Sequence, residues 1–230
     1  MIDSKFTSEL HKKYNIEFQN HNLLETALTH SSYANEHQEL KLEDYERLEF
    51  LGDAVLEISI SEYLFKHFPE MPEGNLTRLR SAIVCTASFS KFSRIVGIDK
   101  YIQIGKGEER QGARQRDSLL EDVFEAFNGA LYLDQGMEKV IEFLNMIVFP
   151  RIDAGEFSDR SDNKTLLQEK LQESGSVEIE YRVISETGNE HEKKFEIALV
   201  VNNKIVSTGT GTSKKKAEEH AAKQALNQMN

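Results

Sequence analysis

At 230 residues the chain has room for two unequal domains, and 39% apolar and 29% charged residues with only 3 prolines place it among soluble globular proteins. The chain has no apolar run long enough to span a membrane and no secretory signature in its first residues, and its single cysteine, Cys85, excludes an internal disulfide; a cytoplasmic compartment is expected. The net charge of −11 is spread unevenly: residues 163–230 hold ten basic and ten acidic side chains, leaving 18 basic and 29 acidic in residues 1–162.

An acidic segment repels phosphate unless cations intervene, so the first part of the chain invites a metal-binding reading. From His21 to about Phe149 apolar residues recur at helical spacing, interrupted only by NEHQELKLED, FPEMPEGN and IGKGEERQGAR. This part is expected to be all-α. In ERLEFLGDAVLE (Glu46 to Glu57), setting Glu46 at 0° and advancing about 100° per residue puts Glu49 near −60°, Asp53 near −20° and Glu57 near +20°. Leu48, Leu51, Val55 and Ile58 fall on the opposite face and are expected in the core. A second segment, LLEDVFEAFNGALYL, places Asp122 and Glu125 as i, i+3 neighbours opposite Leu120, Phe124, Phe127 and Leu131. For either helix alone, a solvated acidic face explains the pattern. Like charges at this spacing nevertheless cost about 0.2–0.5 kcal/mol per pair, and the repetition suggests a cation between the helices. Oxygen-only donors favour a hard ion such as Mg²⁺ or Mn²⁺, and no Cys or His cluster supports zinc. Cys85, in the apolar string AIVCTASF, is expected to be a buried structural thiol.

GEFSDRSD (Gly155 to Asp162) lacks an apolar face, and residues 153–162 are expected to be a linker between a domain at 1–152 and one at 163–230. Beyond it the pattern becomes helix, three strands, helix. TLLQEKLQES (Thr165 to Ser174) stops at Gly175; Val177 to Ile184 alternates as a half-buried strand; Lys194 to Val201 is a second strand. Asn202-Asn203 supplies a turn tolerant of positive φ, Lys204 to Thr208 begins a third strand, and Ser213 caps a helix whose Ala217, Ala221 and Ala225 adjoin Leu226 on a small-residue face. Three lysines in that helix's first turn, Lys214 to Lys216, oppose the helix dipole, a local cost that points to anion binding.

ERLEFLGDAVLE resembles the signature of the ribonuclease III family, and LTHSSY (28–33), PEGNLTRLRS (72–81) and EDVFEAFNGALYLD (121–134) follow in the family's order. The last domain resembles a double-stranded RNA-binding domain through TLLQEKLQE, the loop TGNEH and STGTGTSKKKAEEHAAKQAL. The resemblance covers essentially the whole chain. It implies an all-α catalytic domain followed by a small α-β-β-β-α domain. It also implies a homodimer formed through the signature helix, with neither membrane nor small-molecule cofactor. The implied activity is Mg²⁺-dependent hydrolysis of phosphodiesters in duplex RNA, leaving short 3′ overhangs, in processing of ribosomal and messenger RNA; Mn²⁺ would substitute. By matching positions, Glu49, Asp53, Asp122 and Glu125 would line the metal site, with Asp53 and Glu125 foremost in catalysis and Glu46 and Glu73 as supporting acids. Gln168, Glu169 and Gln172 would meet one minor groove, His191 a second, and Lys214, Lys215 and Lys216 the phosphates between. Tyr45 stands where Asn is frequent in the family, Asn128 where an apolar residue is common, and Lys216 where an acidic or neutral one is.

His30 either touches the substrate or, as is commoner for a histidine near a helix end, packs or caps, and Arg78 and Arg80 either reach phosphates or neutralise the acidic domain. Two other readings stand beside the nuclease. A non-catalytic RNA-binding protein of the same fold would lack the carboxylates, and all four are present. A nucleotide phosphohydrolase using a His-Asp pair would need that dipeptide, which occurs nowhere.

Overall fold

The computed structural model describes residues 3–157, 163–172, 177–187 and 193–229. It divides into two compact units, 1–158 and 159–230.

In the first unit α1 (Ser4–Tyr14), α2 (His21–Ala27) and α3 (Ser31–Glu36) precede α4 (Glu46–His67), α5 (Glu73–Ile83), α6 (Thr86–Val96), α7 (Lys106–Arg110), α8 (Asp117–Ile147) and α9 (Phe149–Asp153). The all-α expectation therefore holds. At the centre α4 packs along α8, with α6 and α2 also against α8. Burial of α8 follows its sequence: Leu120, Phe124, Phe127 and Leu131 are all within 1% of complete burial. Phe124 meets Phe89 at 5.3 Å and Phe92 at 5.8 Å between ring centroids, filling the space between α6 and α8 with aromatic volume. Gly136, at φ 81°, kinks α8 inside LDQGM.

Two expectations are corrected here. Ile58 is 55% exposed rather than part of the core. It falls at the edge of the apolar arc, and the outer face of α4 carries Phe50 and Phe65 as well, so this helix is apolar on two sides and its pattern does not define one inner face. Residues 153–157, expected in the linker, belong to the first unit: the Tyr63 hydroxyl donates to Asp153 at 2.7 Å, and Phe157, only 4% exposed, enters the core. One aromatic residue in a polar stretch does not show as periodicity. Residues 158–162 of the expected linker lie outside the described residues.

The second unit has α10 (Asn163–Gln172), β1 (Ile179–Thr187), β2 (Lys194–Val201), β3 (Lys204–Gly211) and α11 (Lys214–Met229). The strands form one antiparallel sheet in the order β1-β2-β3. Asn202 and Asn203 take φ of 49° and 63°, both left-handed, and close the hairpin between β2 and β3 as their short amide side chains allow. Leu167 of α10 and Leu199 of β2 pack on Ala221, Ala222 and Ala225, so the small-residue face brings α11 close to the sheet. β1 runs three residues past the expected end because an irregularity between Val183 and Ser185 breaks the alternation that marked the strand. Among the described residues no helix is long and apolar enough to cross a membrane.

Candidate active site

The acidic residues come together because the backbones of α4 and α8 nearly touch. A Cβ added at Gly52 would lie 1.8 Å from the carbonyl oxygen of Glu125, and one added at Gly129 would lie 2.3 Å from that of Leu48. Only hydrogen fits at either point, so the pair crosses closely enough for Glu49 and Asp53 to interact with Asp122 and Glu125.

The four carboxylates repel one another in a partly dry setting. Glu125 is only 9% exposed; burial first, and then the charges of Asp53, Glu121, Glu49 and Asp122, push it up to about 8. Glu49 is raised to about 7 by burial, then by Asp122, Glu46, Glu121 and Asp53. Asp122 is raised by burial, opposed by a hydrogen bond from Tyr45 and by the nearby His30, and raised further by Glu46. Among the described residues no three Asp, Glu, His or Cys side chains converge closely enough to grip one ion as they stand.

The other expected residues divide. Glu46 is among the charges raising Glu49 and Asp122, so it belongs with the cluster. Glu73 accepts from the Thr77 hydroxyl at 2.9 Å within α5. His30 caps α3, its Nδ1 accepting from the Ser32 N–H at 3.1 Å, while its ring lies 5.8 Å from that of Tyr45. Arg80 donates to Ser61 of α4 at 3.0 Å and Arg78 to Asn75 at 3.4 Å. Cys85, expected to be buried, is only partly so: it stands just before α6 as its N-cap residue, with its thiol donating to the Ala82 carbonyl at 3.4 Å.

Three residues near the cluster carry no role in the sequence reading. Glu121 is raised by burial, opposed by a bond to Thr86, and raised further by Asp122 and Asp53; its i, i+4 relation to Glu125 was a legible signal. Tyr45, noted only as a departure from the family pattern, is 5% exposed and donates its hydroxyl to Asp122 Oδ2 at 3.2 Å. Asn128 is fully buried, its Nδ2 donating to the Phe124 carbonyl at 2.8 Å, and its Oδ1 has no hydrogen-bond partner.

In the second unit Ser213 caps α11, its hydroxyl accepting from the Lys216 N–H at 3.3 Å. Lys214, Lys215 and Lys216 are exposed on that first turn, and the Lys214 ammonium lies 5.9 Å from the centre of the Phe195 ring. Gln168 is exposed on α10. The side chains of Glu169 and Gln172, and the whole of His191, lie outside the described residues.

A helical unit bearing opposed carboxylates on two closely crossed helices, followed by an α-β-β-β-α unit with a basic helix start, defines an acidic-site nuclease fold joined to an RNA-binding module. Residues 20–152 match the model of the ribonuclease-III-like family, and residues 163–229 that of the double-stranded RNA binding motif. A ribonuclease 3 of Latilactobacillus sakei is 57% identical over 228 residues, covering 99% of each chain, and one of Enterococcus faecalis is 53% identical over 225 residues, covering 98% of each. The solved nuclease domain of a ribonuclease III from Campylobacter jejuni, described for flexibility in a region involved in dimer formation, superposes with a TM-score of 0.56 at 39% identity, covering 62% of this chain and 97% of that one. The chain belongs to the ribonuclease III family.

Proposed function

We propose that this chain hydrolyses phosphodiester bonds in double-stranded RNA with a divalent metal ion, leaving short 3′ overhangs, and serves cytoplasmic RNA processing such as maturation of ribosomal RNA precursors. The observation that carries the reading is the mutual repulsion of Glu49, Asp53, Asp122 and Glu125 across the Gly52–Gly129 seam. Evolution has little reason to bury like charges together unless a cation joins them.

The donor set fits Mg²⁺, with Mn²⁺ able to replace it, because every donor is a carboxylate oxygen. Glu49, Asp53, Asp122 and Glu125 would hold the ion, with Glu46 beside them. A bound ion supplies Lewis acidity, an activated water and stabilisation of the departing 3′ oxygen. The protein's own part is to hold the acids on rigid helices and to release protons from Glu125 and Glu49, which are raised into the neutral range, as the cation enters. The second domain holds the duplex: Gln168, Glu169, Gln172 and His191 read A-form shape and 2′-hydroxyls across about 16 base pairs, while Lys214, Lys215 and Lys216 meet phosphates.

The unit that acts is a homodimer. On the outer face of α4, Phe50 is 82%, Ile58 55% and Phe65 74% exposed, and Phe50 lines a cavity of about 1010 Å³ together with Leu23, Leu51 and Leu133 and polar side chains that include Asp44 and Arg47. Aromatic surface on this scale is expensive to leave in water and suits an isologous contact. The test of the activity is direct: a perfect RNA duplex should be cut only with Mg²⁺ present, and the DNA duplex of the same sequence should survive. Cleavage of both, or of RNA without metal, would overturn the reading.

A further inference from the structure

Tyr45 lies between the two acid-bearing helices and touches both. Its N–H donates to the Thr29 carbonyl at 3.0 Å, and its own carbonyl accepts from the N–H groups of Leu48 at 2.8 Å and Glu49 at 2.9 Å, so its backbone anchors the first turn of α4. Its ring is buried against that of His30. From there the hydroxyl crosses to α8 and donates to Asp122 Oδ2 at 3.2 Å. One residue thus holds the backbone of Glu49 and the carboxylate of Asp122.

We propose that Tyr45 is a positioning residue for the metal site, its hydroxyl fixing the Asp122 carboxylate relative to Glu49 so that the two acids meet one cation. The proposal rests on the metal reading given above. A neutral phenol suits the task. It donates one hydrogen bond and, unlike Lys or Arg, leaves the full negative charge of the carboxylate for the ion. An aspartate without this bond would turn between rotamers, and the ion would have to order it on binding.

The test uses the full-length protein. Tyr45→Phe keeps the buried ring and removes only the hydroxyl. Binding of Mn²⁺ alone, followed by electron paramagnetic resonance without RNA, should weaken by about 10- to 100-fold, the usual consequence of losing a hydrogen bond to a ligating group. The Mg²⁺ concentration for half-maximal cleavage should rise by the same factor, while turnover at saturating Mg²⁺ and duplex RNA binding in Ca²⁺ stay near wild-type. Unchanged Mn²⁺ affinity together with a lowered melting temperature would mean that the hydroxyl only supports the fold, and the proposal would be wrong. Glu125→Gln separates the two levels of the argument. If it abolishes Mn²⁺ binding while Tyr45→Phe has no effect on it, only the role of Tyr45 fails. If Glu125→Gln binds Mn²⁺ as well as the wild type does, the metal reading fails and the role of Tyr45 with it.

Discussion

Glu125 is the side chain whose surroundings say most about the chemistry. Its carboxyl is pushed up to about 8 from an ordinary 4.5, by burial first and by its acidic neighbours second. A carboxyl that binds its proton more tightly when folded contributes stability below its unfolded value and loses it as pH rises through its folded one. Without metal, the melting temperature should therefore fall between about pH 5 and pH 8. Glu125→Gln, neutral and of the same size, should remove much of that fall while reducing cleavage by orders of magnitude and sparing duplex binding. Calorimetric melts across this pH range, paired with cleavage assays, check both halves; a mutant that keeps the wild-type slope or the wild-type rate contradicts this account. Asn128, one turn further along α8, shows a cost with no visible return, because a buried carbonyl without a donor is unfavourable by about 1–3 kcal/mol.

At the scale of elements, the site depends on how closely α4 and α8 cross. Gly52→Ala leaves every carboxylate in place, yet its new methyl would sit 1.8 Å from the Glu125 carbonyl oxygen, a distance that only movement of the helices can relieve. It should destabilise the protein by about 1–3 kcal/mol or more and lower activity even at saturating metal. Gly74→Ala in α5, where an added Cβ meets nothing within 4 Å, is the matched control and should be neutral or slightly stabilising. Equal melting temperatures and rates for the two variants would mean that the close crossing does not hold the site.

For the whole molecule, the buried Phe157 places the end of the helical unit beyond α9. A fragment of residues 1–158 should melt well above one of residues 1–152, because the shorter piece loses the Asp153 acceptor of Tyr63 and the Phe157 ring, a core loss of about 3–5 kcal/mol. Matching melts would return the boundary to 152. The longer fragment should still cut duplex RNA at low salt, since the acids all lie within it. In the full-length protein, Lys214 and Lys215 should each release counterions on binding. Changing both to Ala should flatten the plot of log K against log salt by about 0.9 per contact, the duplex DNA value, and weaken binding evenly across RNA sequences. Lys223, exposed later in α11, is the control and should change the slope little. Titrations in Ca²⁺ measure it, and an unchanged slope in the double mutant rules out the phosphate contacts.

The sequence by itself determined the class of each unit, the two acidic helices, the hairpin turn at Asn202-Asn203 and the cap at Ser213, because these follow from local spacing and local backbone preference. It also named Glu49, Asp53, Asp122 and Glu125 through a resemblance in motif. Only the tertiary structure decided which acids share one environment. Glu46 on α4 and Glu121 on α8 both act on the carboxylates of the cluster. The bond from Tyr45 to Asp122 spans 77 positions of chain, and the burial of Phe157 and the exposure of Ile58 depend on which neighbours arrive. Periodicity records a residue's angle about its own helix. It holds no record of the other helix across the gap, and that second helix is what turns a solvated acidic face into a site.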